Sequence, residues 1–475
     1  MQHNRVRTGN ELCPLTLTPM FKYGDPVAAT TRDQVHTRAP EGTGMPCHWI
    51  VTASFNRMLR LPLGSCVEPP RLCNGDKAMT VDIFDSDTHY YEPPDCFTRY
   101  IEPKFRDSAI TVEDSDSGNE RVTWRGQELH LINPGFFTEA LNPGSLKEWF
   151  QAIKKGIAPD DARLLAPMAP EWRDRAARIA KMDELGVAAM ALYPTLGLLW
   201  EHHLRHDTEA LYANLRAFNR WLADDWGYAR DDRLFAAPMV SLHDPELAVA
   251  ELSSVLDEGA RVVVMKPGHA NHRSPADPIH DRFWAMCQEA EVPVAFHMSE
   301  SGYNEFYSTD FGENPTPRPH EKSALQWAMF YGDRPIMDTF AACVFHNLFG
   351  RFPRLRLVSV ENGSGWVGYL LSIMDKMKGM GRSGPWLGGR VEGRPSDIFR
   401  EHIYVSPFPE DDVAALVDLI GEQRVLMGSD FPHPEGTATP MDMVQTATSL
   451  SPTAQSLYLA GNARRLLKTE RVAVA

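Results

Sequence analysis

Two short polar clusters stand where apolar runs stop, and both carry metal-ligand chemistry. One is Asp85-Ser86-Asp87-Thr88-His89. The other, about 340 residues later, is Gly428-Ser429-Asp430. Between them His297 closes the run Val292-Pro293-Val294-Ala295-Phe296. Imidazole and carboxylate donors suit a divalent ion, and a catalytic site needs only a few of them plus an open position. Asp87, His89, His297 and Asp430 are therefore assigned to one metal site. Asp85 shares the strand face of Asp87 but lies a layer deeper, so it is read as structural.

Three further residues end apolar runs. Glu361 follows Leu357-Val358-Ser359-Val360 and reads as a ligand or as an acid/base beside the ligands, with a rim salt bridge as the plainer alternative. Lys266 closes Val262-Val263-Val264-Met265 and reads as an anchor for a substrate carboxylate or, when carbamylated, as a bridge between two metals. His433 follows Asp430 closely, where it either orients that carboxylate or lies exposed.

Residues so far apart in sequence meet only if a fold gathers strand ends. From Met79 onward, eight strand-like runs alternate with amphipathic helical patterns, over 81–86, 187–193, 234–240, 261–266, 292–297, 355–360, 402–406 and 424–428. Most of these runs are apolar throughout, as strands covered on both faces require. Helical patterns such as Pro245 to Glu258, stopped by Gly259, fill the gaps. The expectation is an α/β fold, a (β/α)8 TIM barrel, which places the ends of all eight strands on one face. The long segment 94–186 reads as an insertion after strand one that covers the pocket.

Residues 1–78 differ in character. They hold nine Lys/Arg against six Asp/Glu and four of the seven cysteines, Cys13, Cys47, Cys66 and Cys73, without sustained periodicity. They are expected to be a disordered extension or the product of an upstream start codon. Across the chain, a net charge of −15 argues against a general nucleic-acid or acidic-membrane binder. An odd cysteine count without CxxC pairs does not form a secreted disulfide framework. No run of about 18 apolar residues is present, and no signal peptide is recognisable, so the default address is cytoplasmic.

Several motif matches fail on context. Gly379-Met380-Gly381-Arg382-Ser383-Gly384 fits GxGxxG but follows a helical run instead of a strand. Gly363-Ser364-Gly365 lacks the upstream glycine of a nucleophile elbow. His202 and His206 are four apart without the glutamate of HExxH, and read as a solvated face or a substrate contact.

With these residues the chain resembles the amidohydrolase-related family, in the branch of aminocarboxymuconate-semialdehyde and resorcylate-type decarboxylases. The resemblance runs from about Asp82 to Leu467. Beyond the clusters above it includes Glu92-Pro93-Pro94, Met182-Asp183-Glu184-Leu185-Gly186-Val187, Arg351-Phe352-Pro353-Arg354-Leu355-Arg356-Leu357, Gly428-Ser429-Asp430-Phe431-Pro432-His433 and Gly461-Asn462-Ala463. It implies metal binding by His89, His297 and Asp430, with Asp430 also moving a proton. It implies one divalent ion, zinc first, with manganese or magnesium as alternatives. It further implies a homodimer or homotetramer acting on a small carboxylic acid. Two positions depart from the common pattern: Asp87 stands where many relatives have His, and Glu361 where His is usual. The activity implied is decarboxylation of an aromatic or conjugated acid, with hydrolysis of a lactone, ester or amide as the alternative and a metal-less barrel as the non-enzymatic one.

Overall fold

The computed structural model describes residues 82–469, apart from 115–119, 133–134, 157–163, 319–320 and 331. Contacts divide the chain into Met1–Leu72 and Cys73–Ala475, and every described residue belongs to the second unit. The expectation for 1–78 thus lies outside the described residues.

Seven parallel strands form two sheets: β1 (Phe84–Tyr90), β2 (Ala189–Pro194) and β3 (Leu234–Ala236) in one, β4 (Val263–Met265), β5 (Val294–His297), β6 (Leu357–Val360) and β7 (Ile403–Val405) in the other. Main-chain bonds join the sheets on both sides. Beyond β3, Val240 N donates to Val264 O at 2.9 Å and Val264 N to Pro238 O at 3.0 Å. On the far side, the chain over 425–431 completes the ring. Leu426 N donates to Val405 O at 3.0 Å, Ser86 N to Met427 O at 2.8 Å, and His89 N to Phe431 O at 2.8 Å. Eight parallel positions therefore close on themselves, as the sequence pattern predicts. Every residue of the seven strands is buried, which explains their apolar runs.

Most strands are shorter than the sequence reading, β3 ending at Ala236 instead of 240, and two differences bear on the site. β1 begins at Phe84 and runs through the polar cluster to Tyr90, so Asp85 to His89 lie within a strand and not at its end. The cause is a bulge: Asp85 pairs with Met190 and Thr88 with Leu192, leaving one extra residue on β1. The eighth strand is present only as single bridges at Val425 and Phe431, because the chain turns left-handed at Asp430 (φ 58°).

Aspartates start the covering helices. Asp174, Asp207, Asp244 and Asp412 each accept main-chain N–H groups at the heads of Arg175–Leu185, Thr208–Asp225, Pro245–Asp257 and Val413–Ile420. Gly186 (φ 72°) ends the first of these. That helix belongs to the barrel, so the insertion after β1 stops before it. The insertion carries an antiparallel sheet (Ile110–Asp114, Glu120–Trp124, Gln127–Glu128), a strand pair (Glu139–Leu141, Leu165–Pro167) and the helix Leu146–Lys154. Among the described residues, no helix is long and apolar enough to cross a membrane.

Candidate metal centre

The C-terminal end of the ring gathers five donor side chains. Asp87 and His89 come from β1, His297 is the last residue of β5, Glu361 follows β6, and Asp430 follows the eighth position. None is more than 6% exposed. His89 Nε2 lies 3.6 Å from Asp87 Oδ1, 3.4 Å from Glu361 Oε2 and 3.3 Å from Asp430 Oδ1. His297 Nε2 lies 3.2 Å from His89 Nε2, 3.2 Å from Glu361 Oε2 and 3.7 Å from Asp87 Oδ1. Atoms that share one ion at about 2.0–2.2 Å stand roughly 3–3.5 Å from each other. The spacing observed matches that separation.

The hydrogen-bond inventory supports the same reading. Asp87 Oδ1, Glu361 Oε2 and Asp430 Oδ1 are buried and make no hydrogen bond. A buried carboxylate oxygen without a partner is costly, and a cation removes the cost. Electrostatics agree. Burial, followed by the charges of Glu361, Glu435, Asp87 and Asp85, pushes the Asp430 carboxyl well above its usual range. For His89, burial works against the charged ring, yet Asp87 and Glu361 outweigh it and raise its pKa to about 9. Three carboxylates around two imidazoles thus favour positive charge, and the donor set fits a divalent ion.

Surrounding groups hold the donors in place. His297 Nδ1 is 2.8 Å from Met298 O; donation there leaves the Nε2 lone pair facing the cluster. His433, 8% exposed and stacked on His89 at 3.9 Å between ring centroids, puts Nδ1 2.9 Å from Asp430 Oδ1. That approach lacks hydrogen-bond geometry, whereas its Nε2 pairs with Thr195 Oγ1 at 2.9 Å. His433 is therefore buried beside Asp430, and the exposed alternative does not hold. Asp85 accepts the N–H of Ser429 at 3.0 Å and its hydroxyl, and so ties β1 to the Asp430 loop. Its place below the centre is the structural one read from the sequence. Glu361 (φ 54°) and Asp430 (φ 58°) both adopt the left-handed backbone that non-glycine residues avoid, which aims their side chains inward.

More than half of the 475 residues match one family model: residues 206–469 fit the model described as Amidohydrolase. The chain belongs to the amidohydrolase family. A solved amidohydrolase from Mycobacterium avium subsp. paratuberculosis K-10 is 35% identical with a TM-score of 0.73, over 82% of this chain and 100% of that one. A 5-carboxyvanillate decarboxylase from Novosphingobium aromaticivorans, solved with manganese, shares the fold at 17% identity and TM-score 0.50, over 69% and 96% of the two chains. In sequence, 159 residues are 24% identical to a 2-amino-3-carboxymuconate-6-semialdehyde decarboxylase of Dictyostelium discoideum. That match spans 30% of this chain and 39% of the relative.

In this amidohydrolase the structure brings together Asp87, His89, His297, Glu361 and Asp430, with His433 beside them. It does not bring Lys266 to them. The Lys266 ammonium donates to the main-chain oxygen of His269 at 3.1 Å, in a cleft of about 20 Å3 shared with Glu201 and Ser241. His202 is buried against Glu305 Oε2 at 3.0 Å, whereas His206 is exposed.

Sequence reasoning missed Arg178. It is fully buried and donates to His89 O and Glu171 O, both at 2.6 Å. Nothing in a helical arginine signals this. It missed Gly428 as well, where a Cβ would come within 2.5 Å of Asp87 Cβ and would also strike Ser406 Oγ. The signal was present there, since glycine ahead of a ligand strand end marks close approach.

A cavity of about 490 Å3 lies at the same end of the ring, walled by segments that follow β1, β2 and β5. Leu129 and Leu131 of the insertion line it, as the covering role of that segment predicts.

Proposed function

We propose that this chain is a metal-dependent carboxy-lyase that removes CO2 from an aromatic or conjugated carboxylic acid. The observation that carries the metal dependence is the set of partnerless buried carboxylate oxygens, Asp87 Oδ1, Glu361 Oε2 and Asp430 Oδ1, around the two Nε2 atoms. Asp87, His89, His297 and Glu361 would hold the ion, with Asp430 at its edge. When bound, a divalent ion polarises a carboxylate and the oxygen next to it and stabilises charge released during C–C cleavage. The oxygen-rich set accepts manganese as readily as zinc.

The protein's own groups do the rest. Asp430 gives its proton to the carbon that loses CO2 and regains one from solvent. His433, stacked on His89 and paired with Thr195, packs against that carboxyl. Glu92, buried, accepts the N–H groups of Leu196 and Gly197 at 2.9 Å and so holds the loop after β2, whose Thr195 pairs with His433. Burial of the whole set keeps water from competing for the proton.

Decarboxylation is favoured by the likeness to the Dictyostelium decarboxylase. Hydrolysis is the second reading, favoured by the amidohydrolase at 35% identity. In it Asp430 would take a proton from water before attack on a lactone or ester. Metal-loaded protein, its element identified by metal analysis, is offered hydroxybenzoates and lactones. CO2 release from a carboxylate supports the first reading. Acid release from lactones without any CO2 replaces it with the second, and bound metal below about 0.2 per chain after reconstitution removes both.

A further inference from the structure

The cavity at the metal-centre end of the ring, which the chain reaches at Ser299 two residues beyond His297, has two kinds of wall. Leu129, Leu131, Leu199 and Trp327 supply apolar surface. The ionisable groups between them are satisfied within the wall. Arg205 Nη2 spans both oxygens of Glu305 at 2.6 and 2.8 Å, and His202 Nε2 adds a third contact to Glu305 at 3.0 Å. Glu128 takes His130 Nδ1 at 3.0 Å and Arg318 Nη2 at 3.5 Å. Glu300 accepts Gly302 N at 2.9 Å and faces the Lys322 ammonium, which lies 5.4 Å from the Trp327 ring centroid.

Of the three histidines in the wall, His130 is paired with Glu128, and His202 and His203 bring no charge of their own. Burial first, then Arg205, holds the pKa of His203 down to about 4 and that of His202 lower still. Both rings are neutral at pH 7. Three carboxylates, Glu128, Glu300 and Glu305, therefore face two cations, Arg205 and Lys322, each already opposite a carboxylate. A second anionic group on a substrate would have to leave water and compete with a fixed glutamate for its cation. An apolar group would lose nothing and bury surface.

We infer that the substrate is a monocarboxylate whose far end is uncharged and extends past a single ring, with Leu129, Leu131, Leu199 and Trp327 receiving that end. The volume agrees, since about 490 Å3 lies in the range of sites that enclose whole drug-sized ligands. This deepens the proposed function and rests on it. It also departs from the carboxylate anchor expected at Lys266, which points into a separate narrow cleft.

The test is binding to full-length, metal-loaded protein, measured by calorimetry and independent of turnover. The probes are 2-hydroxybenzoate, its 5-carboxy derivative and its 5-phenyl derivative. The phenyl compound is expected to bind about tenfold tighter than the parent. The carboxy compound is expected to bind at least about tenfold weaker. In Glu305→Gln, where Arg205 loses its carboxylate, the carboxy compound should gain about tenfold while the phenyl compound changes less than about threefold. Glu300→Gln, acting on Lys322, gives the same comparison should the first variant fold poorly. Tighter binding of the carboxy compound by the unaltered protein, or no gain in either variant, overturns the inference and leaves the proposed function standing. Binding of none of the three removes the proposed function as well.

Discussion

The metal centre and the cavity wall at the same end of the ring treat charge in opposite ways. At the centre, three carboxylate oxygens are buried without a hydrogen bond and crowd two imidazoles within 3.2–3.7 Å. In the wall, Glu128, Glu300 and Glu305 each meet a donor or a cation of the same wall. The centre is incomplete as protein alone and calls for an ion. The wall is complete and calls for nothing charged. Buried charge left open marks where chemistry needs an added group, and charge closed on itself marks where a ligand must be neutral.

The largest expected break in this contrast is Asp430→Asn. It removes one crowded carboxylate together with the proposed proton carrier, and leaves Asp87, His89, His297 and Glu361, the proposed holders of the metal, in place. Turnover should fall by about 10²–10⁴-fold with metal stoichiometry and melting temperature preserved. Near-normal turnover would show that Asp430 belongs with the passive charges of the wall.

Gly428→Ala tests how closely the centre is packed. Its Cβ would press on Asp87 and Ser406, so the donors must move apart. A loss of about 1–3 kcal/mol in unfolding free energy is expected. Weaker metal binding should accompany it, read by competition with a chromogenic chelator. Unchanged metal affinity would mean that the centre tolerates shifts its geometry does not suggest.

The smallest effect is expected at Lys266→Met. Its ammonium is engaged by His269 O within its own narrow cleft, so KM for a carboxylate substrate should stay within about threefold. A tenfold rise would return Lys266 to the role of carboxylate anchor and weaken the picture of a charge-neutral wall.

Much of this arrangement is legible before folding. The apolar runs are long enough to show eight buried strands, and residues such as His297 and Glu361 are visible because a polar group ending such a run has few other reasons to be there. The strand-one boundary was not legible. A bulge between Asp85 and Thr88 depends on pairing with β2, and local periodicity carries no information about a partner strand. Arg178 was hidden for a similar reason, since its fork closes on the His89 carbonyl across 89 residues.

The sequence by itself determined the alternation that closes the ring and the types of donor placed near its strand ends, because periodicity and side-chain chemistry are local properties. Only the tertiary structure decided which donors meet. It brought in Glu361, kept Asp85 to the support of Ser429, turned Lys266 aside and paired Arg205 with Glu305. Each of those outcomes depends on distances between segments up to 344 residues apart. Such distances exist only once the ring has closed.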